Sequence, residues 1–335
     1  MRVAVVGLGW WGCEMAAAAG RTSGGVTVSC GCSPVEAERA RFSERFGVPA
    51  LPTFEAVLAD PSIEAVILAT PHSLHAGQVI EAAAAGKHVF VEKPLALAVV
   101  DAKAAIAACL RNRVVLAVGH NRRLLPQVET LRRCIAADCG PLLHVDANFS
   151  TSEALALPAG HWRASRQECP GGAMTVLGVH VIDWMHALFG PMERVTAQFA
   201  RRAVATELDD KATATLVFQS GLTATLVTLY ASPYCNTFTI HGRDATVSVV
   251  AAAPETETLR PEVIMQRRDG SISKFPLPYV DTLARQLERW ASACAGAATP
   301  AVGGIEAARN IAVLEAIVCS AAMAGAPTLV DYAGL

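Results

Sequence analysis

Strong charge of either sign is missing from this chain. Only 17% of its 335 residues are Asp, Glu, Lys or Arg, and the formal net charge is −2. No basic run is longer than the pairs Arg122-Arg123, Arg132-Arg133, Arg201-Arg202 and Arg267-Arg268. Such a surface projects no long-range field toward nucleic acid or an anionic membrane, so neither is expected as a partner. Long apolar runs are missing as well. Alanine-rich stretches such as 102–108 are broken by Lys103, well short of the roughly 20 apolar residues of a spanning helix. The apolar run at residues 1–7 is too short for a signal peptide, and Glu14 interrupts the next apolar stretch. The 10 cysteines form no CxxC pair and no tight disulfide spacing, which predicts reduced, mostly buried thiols and a cytoplasmic location. There is no GxSxG elbow, internal repeat or low-complexity linker. No Cys or carboxylate pattern completes His72, His75 and His88, so no metal site is expected.

What is present is apolar material in two rhythms. Hydrophobic residues make up 52% of the chain, ample for packed layers. Its length exceeds the usual size of one core, so two domains are expected. The runs 3–6, 26–30, 65–69, 88–91 and 114–118 are short and mainly apolar. Between them lie stretches of helical pattern at 14–19, 34–46, 54–58, 75–85 and 97–110. Apolar strands joined by amphipathic helices predict a parallel sheet covered on both faces. Past Arg123 the rhythm changes. After a helix at 126–135, strand-like segments occur at 142–149, 195–200, 212–218, 223–230, 237–241 and 246–250, several across turn signals such as Gln219-Ser220-Gly221. Short turns predict a large, mostly antiparallel sheet. Helices at 283–295 and 305–324 close the chain and are free to return to the first half. The expectation is an α/β domain over 1–122 and an α+β domain over 123–335.

Gly7-Leu8-Gly9-Trp10-Trp11-Gly12 falls between the first predicted strand and the first predicted helix. In that order the first glycine permits a tight turn, the second admits a pyrophosphate close to the backbone, and the third lets helix and strand pack. The helix N-terminus then faces negative charge. This predicts a dinucleotide site of the Rossmann type in 1–122, with Gly7, Gly9, Trp10, Trp11 and Gly12 forming its loop. The two indoles are expected to pack rather than to stack on the cofactor. An Asp or Glu ordinarily ends the second strand, where it binds the adenosine ribose and repels a 2′-phosphate. Here the strand runs into Gly31-Cys32-Ser33, without a carboxylate. Ser33 can hydrogen-bond a phosphate and Arg39 can reach it from the following helix, which tips the expectation slightly to NADP. NAD bound without that contact is the standing alternative.

The strand ending at Val91 delivers Glu92-Lys93-Pro94-Leu95 to the carboxyl edge of the predicted sheet, where ligands of such folds bind. A lysine there suits the stabilisation of an alkoxide or the polarisation of a carbonyl, although taken alone the segment reads as an ordinary surface turn. Further blocks are Ala69-Thr70-Pro71-His72 with Leu74-His75, Ala85-Gly86-Lys87-His88-Val89, Gly119-His120-Asn121-Arg122-Arg123, and Gly171-Gly172 through Gly178-Val179-His180-Val181-Ile182-Asp183. In this order and spacing they resemble the glucose-fructose oxidoreductase/inositol dehydrogenase (Gfo/Idh/MocA) family over nearly the whole chain. The resemblance implies a Rossmann domain followed by a sheet domain whose open face often makes oligomer contacts, hence a homodimer or homotetramer. It implies action with NAD or NADP on sugars, polyols and related cyclic alcohols. Lys93 would then be the catalytic lysine, with Glu92 positioning it or the cofactor. Thr70, Pro71 and His72 would line the nicotinamide pocket, His75 would stand at the site's edge, and Arg123, Trp162 and Arg163 would contact substrate.

A hydride leaves a carbinol only if the hydroxyl proton is also removed, so a base must reach the reacting oxygen. His180, at the start of a helix predicted through 181–184, is the candidate. Many members of the family carry an Asp four residues before this histidine; here that position is Val176, and the adjacent Thr175 offers substrate a hydroxyl but no charge. The departure argues against a standard polyol and for less hydroxylated or cyclic substrates, including dihydrodiols and sugar acids. Asp183 stands within i,i+3 reach of His180. The expected function is hydride transfer between nicotinamide and a carbinol or carbonyl of a small cyclic substrate. The alternative is a catalytically silent dinucleotide-binding sensor of the same fold.

Overall fold

The computed structural model describes residues 1–158, 160–256 and 258–335. In chain order the elements are β1 (Arg2–Val6), α1 (Trp10–Gly20), β2 (Thr27–Cys32), α2 (Glu36–Phe46), β3 (Ala50–Leu51), α3 (Phe54–Ala59), β4 (Ala65–Leu68), α4 (His75–Ala84), β5 (His88–Val91), α5 (Val99–Asn112), β6 (Leu116–Val118) and α6 (Pro126–Ala137). They continue with β7 (Leu142–Ser150), α7 (Val179–Phe189), β8 (Met192–Ala200), β9 (Lys211–Phe218), β10 (Thr223–Leu229), β11 (Cys235–Gly242), β12 (Ala245–Ala251), β13 (Glu262–Arg267), β14 (Ile272–Phe275), α8 (Thr282–Cys294), α9 (Gly304–Ala322) and β15 (Thr328–Leu329). Two compact units divide the chain. One comprises Met1–Leu124, Asp281–Ala308 and Leu335, the other Leu125–Val280 and Arg309–Gly334.

The first unit holds a six-stranded sheet in the order β3-β2-β1-β4-β5-β6. Every pairing in it is parallel, as crossover helices require. Val6 at the end of β1 lies opposite Cys32 on one side and Leu68 on the other. The strand order reverses between β1 and β4, the place where open α/β sheets bind ligands beyond their carboxyl ends. Val3, Val5, Ile67 and Phe90 from the strands pack with Met15 of α1, Phe42 of α2, and Leu287 and Trp290 of α8. Trp290 is fully buried with its ring centroid 5.6 Å from that of Phe90. This contact explains why a helix near the end of the chain belongs to the first core, since truncating such a side chain costs about 3–5 kcal/mol.

The second unit holds a nine-stranded sheet, β14-β13-β12-β11-β7-β10-β9-β8-β15. Its pairings are antiparallel except β7 with β10. Burial alternates along β9: Ala212, Ala214, Leu216 and Phe218 face the core, while Thr213, Thr215 and Val217 face the other way. Helix α7 packs on the inner face, with Trp184 edge-on to Phe238 at 5.7 Å. Strands β3, β13, β14 and β15 go beyond the predicted set, and β2 extends through Gly31 and Cys32 past its predicted end. Among the described residues no helix is long and apolar enough to cross a membrane.

Candidate active site

The turn after β1 is shaped by three glycines with three different requirements. Gly7 has φ +88, and a Cβ there would meet the Ala69 carbonyl oxygen at 2.6 Å, so the turn is pressed against the end of β4. Gly12 lies on the Gly7 carbonyl, while a Cβ on Gly9 would have nothing within 4 Å. Open space thus lies over Gly9 at the start of α1, which carries no side-chain cap and no acid in its first turn. Its leading amides remain available to an anion. Trp11 packs against the first core as expected, but Trp10 is 66% exposed, because the first helical position turns it outward.

Ser33 directly follows β2 and is buried, its amide donating to the Leu51 carbonyl at 3.2 Å. Its hydroxyl donates to Glu38 Oε2 at 2.6 Å and accepts from the Val35 amide at 3.1 Å. Arg39 Nη1 donates to the carbonyls of Ser33, 2.8 Å, and Pro34, 3.0 Å. The end of β2 therefore does have a carboxylate beside it, supplied by the first turn of α2. Reading the strand end alone misses Glu38. The available signal is an acid five residues beyond Ser33, where a helix start folds it back. Nearby Cys30 and Cys32 are free and buried, and burial pushes their thiols up to about 11 and about 12, as expected of inert cysteines.

The ends of β4, β5 and β6 bring three sequence blocks together. Thr70 donates its hydroxyl to Gln78 at 2.6 Å, and His72 is buried. His75 is fully buried rather than at an edge. Its Nδ1 lies 2.7 Å from the Pro94 carbonyl and its Nε2 3.0 Å from the Thr70 carbonyl. One imidazole thereby ties the turn after β4 to the turn after β5. Glu92 is buried, and its Oε2 accepts from the Lys93 amide at 3.3 Å. A Cβ on Gly119 would meet Glu92 Oε1 at 2.6 Å, so the glycine after β6 makes room for the acid after β5. Lys93 is half-buried and followed by a cis bond to Pro94. Arg123 lies in the 3-10 turn Asn121–Leu124 after β6. Lys87, by contrast, donates to the carbonyls of Asp60 and Ile63 at 2.8 and 2.7 Å, bracing the opposite end of the sheet.

In the second unit, Trp162 and Arg163 form a 3-10 turn in which the guanidinium sits 4.9 Å from the indole centroid and His161 stacks at 5.8 Å. Burial, then the Arg163 charge, lowers the His161 pKa. Gly172, φ +53, admits the Asp209 carbonyl, which a Cβ would meet at 2.2 Å. Thr175 is buried, and its hydroxyl accepts from the Gly171 amide at 2.9 Å. Val176 lies in a π turn, Met174–Gly178, leading directly into α7. His180, the second residue of α7, is half-buried with its ring 6.1 Å from Phe149.

A buried polar chain anchors α7. Asn310 Nδ2 donates to Asp183 at 2.9 Å, and its Oδ1 lies 2.7 Å from His186 Nδ1. His186 Nε2 lies 3.0 Å from the Tyr332 hydroxyl, which accepts from the Met192 amide at 3.0 Å. Because Asn310 donates to Asp183 through Nδ2, its amide oxygen is the atom that faces His186, so His186 Nδ1 carries a proton.

The open space over Gly9, the uncapped start of α1 and the switch point between β1 and β4 fit a dinucleotide pyrophosphate, and they define an NAD(P)-binding protein of the Rossmann class. Residues 1–120 match the Gfo/Idh/MocA oxidoreductase family, NAD-binding Rossmann fold, and residues 128–248 match the Gfo/Idh/MocA C-terminal domain. The chain is 27% identical to 1,5-anhydro-D-fructose reductase of Ensifer adhaerens, with 90% of each chain covered. It is also 27% identical to scyllo-inositol 2-dehydrogenase (NAD+) of Bacillus subtilis, over 93% of this chain and 92% of that one. A crystal structure of an oxidoreductase from Desulfitobacterium hafniense matches with a TM-score of 0.91 at 27% identity, covering 98% of this chain and 97% of the other. The chain belongs to the Gfo/Idh/MocA family of NAD(P)-dependent oxidoreductases, which act on CH–OH groups.

Proposed function

We propose that the chain interconverts a carbinol and a carbonyl of a small cyclic, sugar-like substrate, with Lys93 and His180 as its catalytic residues. The observation that carries this reading is that Lys93 follows β5 at the same carboxyl edge of the parallel sheet at which the glycine loop follows β1, next to the buried Glu92. Nicotinamide, when bound, supplies the hydride acceptor or donor. The amides opening α1 hold the pyrophosphate over Gly9, and Thr70, Pro71 and His72 line the nicotinamide end. Lys93 stabilises negative charge as it develops on the reacting oxygen. His180 takes the hydroxyl proton in oxidation and returns it in reduction. Arg123, Trp162 and Arg163 contact polar groups of the substrate. Thr175 holds the Gly171 backbone and presents its hydroxyl toward substrate.

Relatives named for 1,5-anhydro-D-fructose and scyllo-inositol support a sugar-like substrate. Val176 puts an apolar side chain where an acid would bind a further hydroxyl, which favours a less hydroxylated ring, a dihydrodiol or a sugar acid. Arg39, beside Ser33, favours NADP over NAD by a modest factor. A homodimer or homotetramer formed through the open face of the nine-stranded sheet accompanies this activity and is measured by light scattering.

The test is nicotinamide absorbance over a panel of anhydrosugars, inositols, dihydrodiols and sugar acids, read beside cofactor binding by fluorescence. Turnover of at least one class is expected. Tight cofactor binding with no turnover on any of them would make the chain a dinucleotide sensor instead.

A further inference from the structure

We propose that Glu38 sets the balance between the two nicotinamide cofactors, acting from α2 in place of the acid that ordinarily ends the second strand. The inference deepens the reading of Ser33 and Arg39 as the adenosine end of the site and rests on it.

A serine hydroxyl has one proton to give. In Ser33 that proton points at Glu38 Oε2, 2.6 Å away, while the oxygen already accepts from the Val35 amide. Ser33 is 2% exposed and pinned through its amide to Leu51, so its hydroxyl cannot be re-aimed by moving the backbone. A phosphate bound at Ser33 must take the proton from Glu38 and stand beside the carboxylate's charge. A ribose hydroxyl has the opposite requirement: it donates to the carboxylate and leaves the Ser33 bond intact. Glu38 thus does for NAD what a strand-end acid does, although five residues separate it from the strand-end position.

Arg39, the next residue, pulls the other way. Its two bonds to the Ser33 and Pro34 carbonyls both use Nη1 and lay the guanidinium against the backbone that carries the same serine. A guanidinium offers five N–H donors in all and pairs well with phosphate. Opposite charges on consecutive residues of α2 therefore flank a single buried serine, one favouring a 2′-phosphate and one opposing it.

The experiment measures Kd for NADPH and NADH by fluorescence on the full chain, for the native protein and for Glu38→Gln, Glu38→Ala and Arg39→Ala, with thermal unfolding alongside. Glu38→Gln keeps an acceptor for the Ser33 hydroxyl and removes the charge. It is expected to shift the Kd ratio toward NADPH by about tenfold. Arg39→Ala is expected to weaken NADPH selectively. If Arg39→Ala does so while both Glu38 variants leave the ratio within about twofold of native, Glu38 is only a staple at the start of α2 and the proposal is overturned. If Arg39→Ala spares both cofactors, the adenosine end does not lie at Ser33, and the underlying reading fails with it.

Discussion

Gly12 sits directly on the carbonyl of Gly7: a Cβ at position 12 would meet the Gly7 oxygen at 1.8 Å. That contact fixes the angle at which α1 leaves β1 and so decides where the helix amides point. Gly9, between them, borders open space and serves the ligand instead of the fold.

The two positions should therefore fail differently. Gly12→Ala overpacks the turn and is expected to cost about 1–3 kcal/mol or more, seen as a lowered unfolding midpoint. Gly9→Ala, at φ −67, should keep stability within about 1 kcal/mol. It should nevertheless weaken NAD(P)H at least about tenfold, because its methyl group fills the pyrophosphate space. Native cofactor affinity in Gly9→Ala would mean the phosphates rest elsewhere.

Lys93→Ala and His180→Ala should each lower turnover at least about a hundredfold, the usual contribution of a positioned acid–base group, while cofactor binding persists. Stopped-flow or steady-state rates set beside fluorescence titration read both quantities. Near-native turnover in either variant removes that residue from the mechanism.

His75 joins the Pro94 and Thr70 carbonyls. His75→Leu removes the ring from a fully buried place; a neutral imidazole has one N–H to give, so about 1–3 kcal/mol is expected for the one carbonyl that loses its donor. Urea unfolding measures the loss. A change under about 0.5 kcal/mol would show that the two turns hold each other without the imidazole.

Asp281 caps α8 by accepting from the Ala284 amide at 3.1 Å and pairs with Arg21 at 2.6 Å. Burial pushes its carboxyl up, but the Arg21 hydrogen bond and charge and the Ala284 and Leu283 amides outweigh burial and hold it below the ordinary aspartate range. Its contribution is therefore complete above the unfolded pKa of about 3.9 and is lost as pH falls through the lower folded value. Asp281→Ala should cost about 1 kcal/mol at neutral pH and flatten the acid limb of the stability curve. An acid limb identical to the native one would rule the pair out as its cause.

Local pattern makes the first sheet legible, because buried parallel strands are mainly apolar runs and the glycine loop falls at a strand end. The two-residue strands β3 and β15 carry no periodicity to read, and β14 and β15 are edges of their sheet, where one side has no partner to select for apolar residues. The helix carrying His180 is visible from its apolar spacing; the π turn ahead of it is not, since no residue type marks one.

The sequence by itself determined the two rhythms of the chain, the order of its motif blocks and the glycine turn, all properties carried by neighbouring residues. Only the tertiary structure decided that Glu38 reaches Ser33, that Glu92 rests on Gly119, that Trp290 returns to Phe90, and that Asp183, Asn310, His186 and Tyr332 share one line of hydrogen bonds. Hydrogen bonds and core contacts form between atoms a few ångströms apart. The spacing of residues along a chain does not encode those distances until the sheets and helices have brought the residues together.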